Sequence, residues 1–181
     1  MNRRQIFAIL TISLILLTSC ASQSNPIPQL GRVVGCGSIP LSPSTKGVEI
    51  PCLDGKSSIH FDQLRGPLIV NVWGSWCAPC KQEIPILRTF YAKAEGRINL
   101  LGVNVEEAKK SDATNFIVQN GMTWPNLFDP DGRTRGLFGM GVPVTWFIDS
   151  SGKVVHKKIG VLRNEEELRN LVSKYLHITV S

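Results

Sequence analysis

The stretch Leu68-Ile69-Val70-Asn71-Val72-Trp73 is almost continuously apolar and rich in β-branched side chains. A strand of that kind has to be covered on both faces, which places it inside an α/β sheet rather than in a half-solvated β structure. A short loop, Gly74-Ser75-Trp76, leads from it to Cys77-Ala78-Pro79-Cys80. Residues 78–94 then read as a helix: Ile84, Leu87, Phe90 and Tyr91 recur at helical spacing, Pro85 is expected to kink it and Gly96 to end it. Two thiols thus fall at the junction of a buried strand and a helix. The free N–H groups and the positive dipole end of the helix favour a thiolate at the first of them.

The remaining pattern extends this unit. Residues 48–50 and 58–61 read as short strands, residues 62–65 as one helical turn capped by Asp62, and Gly66-Pro67 as a break. Residues 98–105 form a second buried strand. Ser111 is expected to cap a helix ending near Asn120-Gly121, residues 126–128 form a short extended piece, and residues 134–138 a short helix. After the break at Gly139–Pro143, residues 145–148 and 153–159 read as a hairpin around Asp149-Ser150-Ser151-Gly152. Asn164 caps a last helix with Glu165, Glu166 and Glu167 in its first turn and a stripe of Leu168, Leu171, Val172, Tyr175 and Leu176. Alternating strands and helices followed by a hairpin predict one α/β domain, a mixed sheet flanked by helices, with no internal repeat.

The start of the chain reads as an export signal. Arg3 and Arg4 precede an apolar run over residues 6–17, too short to span a bilayer comfortably. Leu17-Thr18-Ser19-Cys20 resembles the lipobox of bacterial lipoproteins, which implies lipidation of Cys20. An ordinary cleaved signal and an uncleaved anchor are the alternatives. The expected organisation is a signal peptide over residues 1–19, a tether and irregular lead-in over 20–46, and the domain over 47–181, held outside the cytoplasm on a membrane. Losing Arg3 and Arg4 with the signal lowers the net charge from +6 to +4. The basic residues are scattered, so no nucleic-acid partner is expected, and the adjacent Lys157 and Lys158 read as a solvated strand end.

Cys77 is assigned as the attacking thiol and Cys80 as the resolving thiol of a dithiol–disulfide exchange, with Pro79 limiting the backbone between them. A zinc site would need two further ligands, and His60, His156 and His177 form no matching local pair. Of five cysteines, Cys36 and Cys52 remain once Cys20 is set aside. An extracytoplasmic setting permits a structural disulfide between them, worth roughly 3 kcal/mol for a loop of this size. Two free thiols, or a relay to the Cys77–Cys80 pair, are the other readings. Glu83 lies one turn beyond Cys80; burial beside an apolar strand should raise its pKa and suit it to move a proton during exchange, whereas a solvated helix glutamate would do neither.

The run Asn71-Val72-Trp73-Gly74-Ser75-Trp76-Cys77-Ala78-Pro79-Cys80-Lys81-Gln82-Glu83-Ile84-Pro85 resembles the signature of the TlpA/ResA-like thioredoxins of the redoxin (AhpC/TSA) superfamily, as does Gly141-Val142-Pro143-Val144-Thr145-Trp146-Phe147-Ile148-Asp149. The resemblance extends over about residues 48–176 and implies a thioredoxin-like fold with a family insertion around residues 106–126. It implies that Pro143 is a cis-proline facing the disulfide, that the Val142 backbone pairs with a bound substrate strand, and that Glu83 is the family's acid. Asn71 departs from cytoplasmic thioredoxins, which carry a buried Asp there. Trp76 is expected as a substrate platform, Trp73, Trp124 and Trp146 as packing. No cofactor or metal is implied. The expected partners are protein thiols or disulfides and a membrane electron donor or acceptor, and the chain is expected to be a monomer. Members often act as reductants, for example on apocytochrome c, and that direction is the first expectation; introduction of disulfides is the alternative. A thiol peroxidase would want a Thr where Gly74 stands, and a copper-binding assembly lipoprotein a wider cysteine spacing.

Overall fold

In the computed structural model, which describes residues 30–139 and 141–180, the apolar run becomes the central strand of a five-stranded sheet. In chain order the elements are β1 (Glu49–Pro51), β2 (Ser58–His60), β3 (Leu68–Trp73), α1 (Ala78–Ala94), β4 (Asn99–Val105), α2 (Lys110–Gln119), β5 (Asn126–Asp129), α3 (Arg135–Phe138), β6 (Val144–Ile148), β7 (Val154–Ile159) and α4 (Glu165–Leu176). The sheet order is β5-β4-β3-β6-β7. β4 runs parallel to β3 and to β5, while β6 and β7 are antiparallel. All six residues of β3 are buried, as a strand with neighbours on both edges and cover on both faces requires.

Alternation along β3 divides the core. Ile69 and Trp73 join Ile84, Leu87 and Phe90 of α1, Phe116 and Ile117 of α2, and Leu168 and Val172 of α4 on one face. Leu68, Val70 and Val72 join Leu101, Val103, Val144 and Trp146 on the other, under Ile39, the β1–β2 hairpin and Phe138. Residues 106–126, the expected insertion, supply the α2 crossover and the start of edge strand β5. The packing assignments hold for Trp73, Trp124 and Trp146, all buried.

Two local expectations need correcting. The turn before β3 is a 3-10 turn over Phe61–Gln63, capped by His60 and Gln63. Asp62 instead accepts hydrogen bonds from Ser44 and from the Lys46 N–H, so its carboxylate ties the lead-in rather than the turn. α2 begins after Lys109, with no side-chain cap, and Ser111 lies inside it. Pro85 lies inside α1, as the sequence places it, and the helix runs on to Ala94.

The lead-in is irregular but docked. The Gly31 and Arg32 N–H groups donate to Val118 and Met122 carbonyls, and Cys36 and Ile39 are buried. Cys36 and Cys52 are joined by a disulfide. Cys52 also bridges to Leu127 of β5, so the bond links the lead-in to the sheet edge. The signal segment and Cys20 lie outside the described residues.

Candidate active site

Cys77 ends the loop from β3 and occupies the N-cap of α1, with Pro in the helix's first turn. It forms a disulfide with Cys80, and its Sγ accepts the Cys80 N–H at 3.1 Å. That N–H is one of the donors a helix start leaves unpaired, and it would serve a Cys77 thiolate in the reduced protein. Cys80 is fully buried and Cys77 is 3% exposed, so a partner disulfide can approach only along one narrow side of Cys77.

Trp76 is 55% exposed, the largest aromatic surface beside the pair. Its Nε1 donates to the Glu106 carbonyl at 3.1 Å. Its ring lies across Gly74: a Cβ there would come within 2.6 Å of the indole, so any other residue at 74 would push Trp76 aside. The Val142–Pro143 peptide is cis. Pro143 lies one residue before Val144, the partner of Val72, and so at the end of the sheet where β3 hands over to the cysteine loop. Trp76 and Val142 line a shallow cleft together with Val72, Val105 and Phe138. Glu106 and Arg135, paired at 2.6 Å, border it.

Glu83 has no exposed surface. Asn71 Nδ2 donates to its Oε1 at 2.6 Å and the Leu162 N–H to its Oε2 at 3.1 Å. Burial dominates these bonds and the nearby Lys158 charge, and pushes the carboxyl up to about 7. Asn71 also donates to Thr145 Oγ1 at 3.2 Å, while its own Oδ1 has no partner. A protonated Glu83 needs an acceptor, and rotation of the Asn71 amide would supply one.

Two further groups position the site and escaped the sequence reading. Glu107, 6% exposed, accepts from the Ser75 N–H, from Ser75 Oγ at 2.8 Å and from Asn104 Nδ2 at 2.9 Å, and thereby pins the loop into Cys77. Asn126 Oδ1 accepts Trp73 Nε1 at 3.0 Å. The available signal for Glu107 was an acidic pair, Glu106-Glu107, directly after a buried strand, where α/β sheets gather their polar sites.

The comparisons with known proteins agree with this geometry. A family model described as AhpC/TSA matches residues 44–157. The chain belongs to the AhpC/TSA family. The thiol-disulfide oxidoreductase ResA of Bacillus thuringiensis (strain Al Hakam) is 32% identical over 125 residues, covering 67% of this chain and 70% of the relative. A thiol:disulfide interchange protein DsbE homolog of Paracoccus denitrificans (strain Pd 1222) is 34% identical over 118 residues, 63% of each chain. Among solved structures, a putative thiol:disulfide interchange protein DsbE from Chlorobium tepidum aligns with TM-score 0.61 at 26% identity, over 76% of this chain and 98% of that one. This AhpC/TSA-family chain is therefore a thiol-disulfide oxidoreductase of the ResA/DsbE type on a thioredoxin-like fold, which agrees with the resemblance read from the two sequence motifs.

Proposed function

We propose that this chain is a membrane-tethered, extracytoplasmic oxidoreductase that reduces disulfides in exported proteins, with Cys77 and Cys80 as the exchanging pair. The observation that carries this reading is a cysteine at a helix N-cap, served by the N–H of Cys80, which lies one turn before a buried carboxyl whose pKa burial raises to about 7. In the reductive half-reaction the Cys77 thiolate attacks one sulfur of a substrate disulfide, and the other sulfur leaves as a thiol after taking a proton. Cys80 then loses its proton to Glu83 and attacks Cys77. That step breaks the mixed disulfide, releases the second substrate thiol and leaves Cys77–Cys80 oxidised. A dithiol donor at the membrane restores the pair.

Trp76 supplies an apolar platform for the substrate, and the Val142 backbone before cis-Pro143 accepts its extended strand. Cys36–Cys52 is assigned to structure: both sulfurs are buried in the face of the core away from α1, which argues against a relay. Lipidation of Cys20 would anchor the chain, with residues 20–46 as tether and lead-in and the domain following, acting as a monomer. Apocytochrome c before haem attachment is the substrate that the family resemblance of the two sequence motifs implies.

The deciding experiment equilibrates the protein in defined dithiol/disulfide buffers and measures the potential of Cys77–Cys80. A value near the roughly −270 mV of thioredoxin supports a reductant, and one near the roughly −120 mV of strong oxidants reverses the direction. Membrane fractionation of a Cys20→Ser variant tests the anchor: release from the membrane supports it, and unchanged retention refutes it.

A further inference from the structure

Lys157 and Lys158 are adjacent in β7 but point to opposite faces of the sheet. Lys157 lies over the Trp146 ring, 4.2 Å from its centroid, on the face of β1 and β2. Lys158 pairs with Thr145 across β6–β7, and Thr145 pairs with Asn71 across β3–β6. Residues directly opposite in a sheet share a face, so Asn71, Thr145 and Lys158 form one row across three strands, on the side covered by α1 and α4. Glu83 comes down from α1 onto the first member of that row. The chain following Lys158 returns to the same place, where the Leu162 N–H donates to Glu83 Oε2.

Lys158 is only partly exposed, and its Nζ lies 3.9 Å from Oε1 of Glu167 in the first turn of α4. Glu167 is in turn held by Arg163, through its N–H at 2.8 Å and its Nε at 3.3 Å. The elements packed there carry Lys158 and, two residues back, His156 on β7; Arg163 in the following loop; Glu167 and Lys174 on α4; and the cysteine pair at the start of α1; of these charges, it is Lys158 that acts on Glu83. β3 and β6 contribute only the neutral Asn71 and Thr145.

We propose that Lys158 is a positioning residue for Glu83: from its place in the row across β3, β6 and β7 it adds a positive field to the Leu162 N–H and the Asn71 amide in favouring the ionised carboxyl, and its pairing with Glu167 sets how much of that field Glu83 receives. This rests on the reading of Glu83 as the proton carrier of the exchange. The Lys158 charge opposes burial in setting the Glu83 pKa, and it also lowers that of Glu167, so the two carboxylates compete for one cation. The sequence alone presents Lys158 as half of a solvated basic pair; the row across the sheet gives it a task in the chemistry.

The test follows the carboxyl carbon of Glu83 by NMR in oxidised, glutamate-labelled protein from about pH 4 to about pH 10, the resonance being assigned by its loss in Glu83→Gln. Lys158→Met should move the midpoint up by roughly 0.5–1 pH unit, Lys158→Arg should restore it, and Glu167→Gln should move it down. In reduced protein the pH profile of Cys77 alkylation should move with the midpoint, and Lys158→Met should add nothing in a Glu83→Gln background. An unchanged midpoint in Lys158→Met, or an alkylation shift that persists without Glu83, overturns the proposal. A Glu83→Gln variant whose alkylation profile matches wild type sinks instead the reading of Glu83 on which it rests.

Discussion

Replacing Glu83 with Gln should change how the oxidised protein's stability depends on pH. Burial raises the Glu83 carboxyl from 4.5 to about 7. Below about pH 4.5 the group is protonated in both folded and unfolded chains, and folding gains the full benefit of a neutral buried acid. As pH rises toward 7, the unfolded chain ionises while the folded one still holds its proton. Stability therefore falls, at up to about 1.4 kcal/mol per pH unit, and levels off above the folded pKa. The displacement corresponds to a loss of about 3 kcal/mol by pH 8. Gln cannot ionise, so Glu83→Gln removes this loss. It adds a cost of about 1 kcal/mol, because one amide oxygen replaces the two oxygens that accept from Asn71 and Leu162. Rotation of Asn71, whose Oδ1 is free, limits that cost. Urea unfolding of both oxidised proteins at intervals from pH 5 to about pH 8 reads the difference. The variant should be slightly weaker than wild type at pH 5 and more stable by roughly 2 kcal/mol at about pH 8. Parallel pH dependences would refute a raised Glu83 pKa.

Three other outcomes follow from particular contacts. Replacing Cys36 and Cys52 together by Ser should cost roughly 3 kcal/mol in a thermal or urea melt, through the freed loop, while leaving insulin reduction by the Cys77–Cys80 pair within about twofold. Gly102→Ala places a Cβ 1.8 Å from Asn126 Oδ1, the acceptor of the Trp73 indole. Either Asn126 or β4 must move, so the variant should lose about 2 kcal/mol or more and shift Trp73 fluorescence. Glu107→Ala leaves the Ser75 N–H and the Asn104 amide without their acceptor and should cost about 2 kcal/mol and alter the rate of Cys77 alkylation. Glu107→Gln keeps an acceptor for both and an amide facing Ser75 Oγ, and should recover most of both effects.

What the sequence determined by itself was local. A run apolar on both faces demands cover on both sides, and a cysteine at the following helix start inherits that helix's unpaired donors. Hence the central strand, α1, the hairpin, the Asn164 cap and the placement of the cysteine pair were all legible. The caps at Asp62 and Ser111 were misread because short polar side chains near a helix start have competing partners. Asp62 is taken by Ser44 and Lys46, which approach it only once the lead-in has folded back. Tertiary structure alone decided what the Cys36–Cys52 bond ties together, the lead-in and the sheet edge at β5. It also decided that Glu107 would grip the cysteine loop, and that Lys158 would share a sheet face with Glu83. Those contacts join residues on different elements, and strand order and register, rather than spacing along the chain, determine which charges a buried carboxyl must face.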